Sequence, residues 1–293
     1  MGTPTRRGSS PTPRPGAGEP RRLDSPSVND APHAPHIPAA ALRLSRGAAV
    51  LRSAVILPQG RRLRRDTPRL PDAPAPWHGT VGEGEGEGEG ERTLHLLVLG
   101  DSTAAGVGVE HAELGLGGRL AEAIADRTGR TVDWRAHGRN GATARDLVRG
   151  YLAAALERPV DILFLTVGAN DALALRSSRA FRRDVRHIVR ATRAQHPAAV
   201  VLMSSLPAFF RFRLLPEPLR GSLYRHSRAL EAAARMVVDA EPEARMSPPP
   251  PPYTDGFFAS DEFHPSALGY RDWAEFAVDD AAHAGLLARW GRP

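Results

Sequence analysis

The segment L-H-L-L-V-L at residues 94–99, followed directly by Gly100-Asp101-Ser102, sets the fold class of this chain. Five of its six residues are apolar, and glycines and small residues follow it. This pattern predicts a strand buried on both faces of a parallel sheet. In an open sheet of this kind, ligands lie beyond the carboxyl ends of the strands. Ser102 is therefore expected at the edge of the sheet where chemistry is usually done.

The chain after this segment alternates between strand and helix patterns. Apolar runs predict further strands at residues 131–136, 160–167, 198–203 and, more weakly, 244–247. Helical periodicity is found at residues 114–127, 141–156, 179–195, 217–240 and 266–289. The alternation predicts an α/β fold with right-handed crossovers and a parallel sheet of about five strands, covered by helices on both faces.

Composition divides the chain into four parts. Residues 1–36 are rich in Pro, Gly, Ser and Arg, which predicts a disordered tail. Residues 37–82 form an N-terminal extension whose apolar run Ala39–Leu57 is too short and too charged to span a membrane. We expect this run to be a short packed helix, and a helix on a membrane surface is the alternative. The Gly-Glu repeat within residues 83–92 predicts an extended linker, which leaves residues 93–293 as one domain.

Residue usage excludes several classes of function. The chain has no cysteine, so disulfides and a thiolate nucleophile are excluded, and all 39 basic residues are arginine, which excludes a lysine nucleophile. The net charge of +6 divides into 14 Arg against 10 acidic residues before residue 93 and 25 against 23 after it. A balanced domain argues against a nucleic-acid partner. With no convincing signal peptide and no integral membrane span, we predict a cytoplasmic protein.

Four short polar segments follow predicted strands or precede predicted helices. They are Gly100-Asp101-Ser102, Asn140-Gly141-Ala142-Thr143, Gly168-Ala169-Asn170-Asp171 and Asp261-Glu262-Phe263-His264-Pro265. Each segment alone is typical of a turn or a helix cap. Together they contain the groups that acyl transfer requires, namely a hydroxyl nucleophile, a histidine and a carboxylate.

The types of these residues suggest a role for each. Ser102 is the candidate nucleophile, His264 the candidate base, and Asp261 the carboxylate that orients the imidazole. Since Asp261 and His264 are three residues apart, one turn can bring the carboxylate to Nδ1. The backbone N–H groups of Ser102 and Gly141 and the side-chain amide of Asn170 are candidate donors to an oxyanion.

In this order, the four segments resemble the sequence blocks of the SGNH (GDSL-type) hydrolase superfamily over roughly residues 93–293. The resemblance implies a flavodoxin-like three-layer α/β/α sandwich. It also implies a serine ester hydrolase that needs no metal and no cofactor, with the five residues just named as its triad and oxyanion hole.

The substrate class is indicated by aromatic residues near the expected acyl site. Phe209, Phe210 and Phe257 are candidate acyl-binding residues, and core packing is the alternative for all three. We expect a small-molecule acyl ester or thioester, as for a carboxylesterase, lipase or thioesterase. A carbohydrate O-acetylesterase of the same superfamily and a non-catalytic binding protein on the same fold are the other hypotheses. A dinucleotide-binding loop at Gly106 and Gly108 is disfavoured, because the third glycine of that motif is missing.

Overall fold

The computed structural model describes residues 1–2, 37–82 and 93–291. Every helix and strand below belongs to one compact unit, Pro35–Pro293, and a separate unit, Met1–Ala34, is described only at its first two residues. The tail predicted for residues 1–36 lies almost entirely outside the described residues. The linker predicted for residues 83–92 lies wholly outside them, so both stay predictions.

Six strands of the described chain form one sheet. They are β1 (His78–Val81), β2 (Leu94–Gly100), β3 (Val132–Gly138), β4 (Ile162–Thr166), β5 (Val200–Met203) and β6 (Ala244–Met246). Their order is β1-β3-β2-β4-β5-β6, in which β2 to β6 are all parallel and β1 is antiparallel to β3. The predicted α/β fold and its five parallel strands are confirmed. The sixth strand, β1, has the sequence H-G-T-V, which carries no strand pattern.

Helices cover both faces of this sheet. They are α1 (Ala39–Leu51), α2 (Ser53–Asp66), α3 (Leu116–Thr128), α4 (Ala144–Gly150), α5 (Leu152–Ala155), α6 (Ala169–Leu173), α7 (Ser178–Gln195), α8 (Leu219–Val238) and α9 (Ala267–His283). Side chains of α3 and α9 form the core on one face, and those of α4, α7 and α8 form the core on the other. In the described part of the chain, no helix is long and apolar enough to cross a membrane.

The central strand β2 contributes to both cores. Leu97 and Leu99 join the cluster under α4, α7 and α8, whereas Leu96 and Val98 join the cluster under α3 and α9. All four side chains are fully buried. Successive side chains of a strand point to opposite faces, so a strand covered on both sides needs apolar residues at every position. This requirement explains the apolar run from Leu96 to Leu99 in the sequence.

The N-terminal extension forms two helices instead of the predicted short one. The run Ala39–Leu57 is divided at Arg52, whose carbonyl accepts the N–H groups of Val55 and Ile56 and so begins α2. Pro58 lies inside α2, which continues past the end of this apolar run to Asp66.

Residues after α2 also belong to the folded unit. The side chain of Ala73 is buried in the core under α3 and α9, and its N–H donates to the carbonyl of Ala105 at 2.9 Å. Gly79 of β1 lies against the buried ring of Trp134. The folded unit therefore begins before residue 93, the start predicted from the Gly-Glu repeat.

Polar contacts hold α1 and α2 at a defined place. Ser45 hydrogen-bonds His226 of α8 at 3.2 Å. Arg46 donates to the carbonyl of Leu175, which follows α6, and Gln59 donates to the carbonyl of Glu217, which precedes α8, both at 2.8 Å. The two helices are thereby attached to segments that follow β4 and β5.

Candidate active site

The end of β2 brings Ser102 to the carboxyl edge of the sheet. A Cβ atom at Gly100 would lie only 2.4 Å from the carbonyl oxygen of Thr166 on β4, so only glycine allows the two strands to approach this closely. Two residues later, the Ser102 side chain turns toward His264. Its Oγ lies 3.0 Å from Nε2 of that imidazole.

Asp101 fixes the turn that carries Ser102. Its buried carboxylate accepts hydrogen bonds from the N–H of Thr103 at 3.2 Å and from the Thr103 hydroxyl at 3.1 Å. The Thr103 hydroxyl also contacts the hydroxyl of Thr166 at 2.7 Å. Burial raises the pKa of Asp101 to about 6, although both hydrogen bonds from Thr103 oppose the rise.

A single turn holds Asp261 against His264. The Nδ1 atom of His264 lies 2.6 Å from Oδ2 of Asp261, and Oδ1 accepts the backbone N–H groups of Phe263 and His264 at 3.0 and 2.9 Å. Because a carboxylate can only accept, Nδ1 carries the ring proton and Nε2 can accept the Ser102 hydroxyl. Burial alone would raise the pKa of Asp261, but the hydrogen bonds from the His264 ring and the two N–H groups hold it below its ordinary value.

The turn that carries His264 packs closely against the loop that follows Ser102. A Cβ atom at Gly108, where φ is +104°, would lie 2.4 Å from the carbonyl oxygen of Pro265. The hydroxyl of the fully buried Tyr270, in the first turn of α9, donates to the carbonyl of Val107 at 2.7 Å. These contacts fix the separation of the two loops, and with it the distance from His264 to Ser102.

The structure brings the segments of Gly141 and Asn170 together. The Asn170 side-chain amide donates to the carbonyl of Ala142 at 3.1 Å, and Gly141 has a φ of +86°. Asn170 lies within α6, whose N-cap is Gly168, so it does not cap that helix. Among the described residues, no acceptor bonds the backbone N–H of Ser102 or of Gly141. Both groups can therefore still donate a hydrogen bond.

Asp171 reinforces this arrangement, a role that sequence reasoning missed. Its fully buried carboxylate accepts the N–H of Ala144 at 2.9 Å and pairs with Arg176 at 2.7 Å. Arg176 in turn pairs with Asp184 at 2.6 Å. Burial raises the pKa of Asp171, while the Ala144 and Arg176 hydrogen bonds oppose the rise. The only signal in the sequence is the position of Asp171 directly after Asn170.

A cleft with about 740 Å³ of empty space, part of it open to solvent, lies above Ser102 and His264. Its walls include six aromatic side chains: Phe212, Tyr253, Phe257, Phe258, Phe263 and Trp273. The acyl-binding candidate Phe257 is among them. Phe209 is buried in the core, and Phe210 packs edge-to-face on Tyr224, with their ring centroids 4.9 Å apart. Neither of these two residues lines the cleft, nor do Gly141 and Asn170.

Comparison with known proteins gives a consistent family assignment. Residues 98–271 match the model of the GDSL-like lipase/acylhydrolase family. A GDSL-like esterase of Mycobacterium tuberculosis is 29% identical over 191 residues, which are 60% of this chain and 58% of that protein, so the chain spans somewhat more than half of its relative.

Solved structures resemble about two thirds of the chain. A family 3 carbohydrate esterase of Clostridium thermocellum has the same fold, with a TM-score of 0.53 and 14% identity over 68% of this chain and 100% of that one. The extracellular lipase of Streptomyces rimosus matches 64% of this chain and 99% of its own, with a TM-score of 0.49 and 17% identity.

We expect Asp101→Asn to stabilise the protein at pH 8 but not at pH 4. The pKa of Asp101 is raised from 3.8 to about 6, so its contribution to stability is fully present below pH 4 and is lost as the pH rises through 6. An amide keeps the acceptor for Thr103 without the buried charge. Urea unfolding should show that the advantage of Asp101→Asn grows by up to about 3 kcal/mol between pH 4 and pH 8. A difference that does not change with pH would contradict this.

Proposed function

This chain belongs to the GDSL-like lipase/acylhydrolase family, and we propose on that premise that it hydrolyses small-molecule esters through an acyl-enzyme on Ser102. One observation carries the proposal, namely the continuous hydrogen-bonded series from Asp261 through His264 to Ser102, with distances of 2.6 and 3.0 Å. If the Asp261–His264 pair had only a structural role, Nε2 of His264 would not need a hydroxyl beside it. The hydroxyl that lies there comes from Ser102, 162 residues away in the sequence. A nucleophile, by contrast, requires that hydroxyl there.

In the proposed acylation step, the Ser102 Oγ attacks the carbonyl carbon of the ester while Nε2 of His264 takes the hydroxyl proton. The carboxylate of Asp261 stabilises the imidazolium that forms. The tetrahedral intermediate then collapses, the bond from the carbonyl carbon to the alcohol oxygen breaks, and His264 returns its proton to the leaving alkoxide. Water attacks the acyl-enzyme by the same sequence of proton transfers and releases the acid and the free Ser102 hydroxyl.

Stabilisation of the oxyanion is assigned to the Ser102 and Gly141 N–H groups and the Asn170 amide. The two N–H groups are free of internal acceptors in the described chain, which supports the assignment. The hydrogen bond from Asn170 to Ala142 and the bond from Ala144 to Asp171 support it further, since they hold the Gly141 segment beside α6. Preorganised donors of this kind strengthen their bonds as the carbonyl oxygen becomes an anion.

The aromatic cleft favours an acyl ester or thioester as the substrate class. Phe212, Phe258 and Phe263 line it beside His264, and the Phe212 ring contacts both of the others at centroid distances of 5.2 and 5.4 Å. Such a wall can bury the methylene groups of a medium-length acyl chain. An acetyl group on a sugar would leave most of this apolar surface uncovered.

We expect kcat/KM for nitrophenyl esters to rise about fourfold for each methylene added between acetate and hexanoate, because each buried methylene contributes about 0.8 kcal/mol. In Phe258→Ala, the rise in kcat/KM for each added methylene should fall to about half of the wild-type rise. Phe210→Ala is the matched control, since this half-buried ring lies outside the cleft and its loss should leave the gain unchanged.

Initial rates over this ester series, with acetylated sugars measured alongside and Ser102→Ala as the inactive reference, check the expectation. Preference for acetylated sugars over hexanoate would replace the acyl-ester assignment with the carbohydrate O-acetylesterase. Hydrolysis that persists in Ser102→Ala would contradict the mechanism itself.

We expect Asn170→Ala to lower kcat by about 10²–10³ with little change in KM, because the amide, which donates to the Ala142 carbonyl in the free protein, would also donate to the developing anion. Asn170→Asp should be at least as damaging, since a carboxylate repels that charge. Steady-state kinetics of both variants, with thermal unfolding as the control for folding, measure the effect. An Asn170→Asp enzyme with wild-type kcat would remove Asn170 from the oxyanion hole.

A further inference from the structure

Exposed apolar side chains are concentrated on the N-terminal helices. Large hydrophobic residues that are more than two-fifths exposed are few in the described chain, and five of them lie on α1 and α2: Leu44, Val50, Leu51, Val55 and Leu57. Their exposed fractions range from 51% to 88%. Beyond Met1, the others are the single residues Leu173 and Met236. Scattered exposed apolar residues are ordinary, but a cluster of this kind marks an interaction surface.

Four of these residues surround the junction of the two helices. We call Val50, Leu51, Val55 and Leu57 the apolar elbow. Packing against the rest of the protein does not explain this exposed cluster, because different residues of α1 and α2 are buried. The buried residues are Ser45, Ala49 and Ile56. The apolar elbow therefore points away from the protein that the helices pack against.

Arginine side chains flank the apolar elbow on both sides. The sequence from Ala39 to Asp66 contains seven arginines and one acidic residue, Asp66. Arg43 precedes the apolar elbow, and Arg61, Arg62 and Arg65 follow it, all of them exposed. Arg62 and Arg65 pair with Asp66, in ion pairs that are open to solvent. Along the sequence, α1 and α2 thus carry exposed apolar residues between exposed arginines.

This combination determines the kind of partner. We propose that the α1–α2 segment docks the protein on an anionic lipid surface, with the apolar elbow inserted at the headgroup boundary and the arginines against lipid phosphates. Apolar side chains with basic residues around them are the features that bind interfacial segments to anionic membranes. A second copy of this chain is disfavoured as the occupant, because a symmetric contact would bring the arginines of one copy against those of the other.

Docking would hold the proposed ester hydrolase at a lipid surface. The docking proposal itself does not require that the protein hydrolyses esters. Through Arg46 and Gln59, the two helices are attached to segments that follow β4, the neighbour of β2, and β5, the neighbour of β4. Those strands end at the same edge of the sheet as β2, where Ser102 lies. A protein docked by α1 and α2 is thereby held at the surface through segments that follow strands of that edge.

Flotation with lipid vesicles tests the proposal on the full chain. We expect binding to vesicles of phosphatidylcholine with 30% phosphatidylglycerol, little binding to phosphatidylcholine alone, and loss of binding at high salt. The double variant Leu51→Glu/Val55→Glu should abolish flotation. Arg61→Gln/Arg62→Gln should weaken it at least tenfold, since each arginine near an anionic surface contributes substantially.

Matched variants elsewhere on the surface distinguish binding through this site from nonspecific binding of exposed apolar or basic residues to vesicles. Met236→Glu replaces an exposed apolar residue on α8, and Arg186→Gln/Arg190→Gln replaces two exposed arginines four residues apart on α7. Both should float like the wild type. Every variant should keep wild-type hydrolysis of a soluble nitrophenyl ester, which shows that it is folded and separates failure of docking from failure of the catalytic proposal.

Three results would overturn the proposal: no flotation of the wild type with anionic vesicles, equal flotation of the Leu51→Glu/Val55→Glu variant, or equal binding to neutral and anionic vesicles. Light scattering measures the oligomeric state and thereby tests self-association, the alternative to lipid binding. A dimer that dissociates in Leu51→Glu/Val55→Glu, without vesicle binding by the wild type, would assign the apolar elbow to self-association instead.

Discussion

Close approach of backbones at the carboxyl edge of the sheet is the constraint on which the candidate site depends. β2 and β4 meet at Gly100, where a side chain would overlap the Thr166 carbonyl, and the loop at Gly108 meets the Pro265 carbonyl in the same way. The first contact sets the place of the serine turn, and the second sets the place of the histidine turn. Because neither loop can move away without breaking buried contacts, the 3.0 Å separation of Ser102 and His264 is held by the fold as a whole.

Buried acidic groups stabilise this edge at an electrostatic cost. Asp101 and Asp171 both lie in the interior beside the candidate oxyanion donors, and burial raises the pKa of each. They accept hydrogen bonds from backbone N–H groups, from the Thr103 hydroxyl, from the Asn170 amide and from Arg176. A buried carboxylate is retained at such a cost when it fixes a geometry that apolar packing cannot specify, and here that geometry is the position of two N–H groups and one amide.

The sequence allowed prediction of what depends on local pattern. Nearly continuous apolar runs identified the central strands, and four polar blocks indicated which loops meet at one sheet edge. Features that depend on partners distant in the sequence were not predictable. β1 is a four-residue edge strand whose pairing to β3 leaves no periodic trace. Phe209 and Phe210 are aromatic like the cleft residues, but only the path of the loop around them sends one into the core and the other onto Tyr224.

Covalent labelling of the candidate nucleophile, Ser102, tests the central claim most directly. The protein treated with a fluorophosphonate ester and analysed by peptide mass spectrometry should carry one adduct, on Ser102. The extent of labelling should match the loss of ester hydrolysis. The His264→Ala substitution should slow labelling by several orders of magnitude, because the hydroxyl then lacks its base. Full inactivation with the adduct on another residue, or undiminished hydrolysis by protein fully labelled at Ser102, would contradict the account.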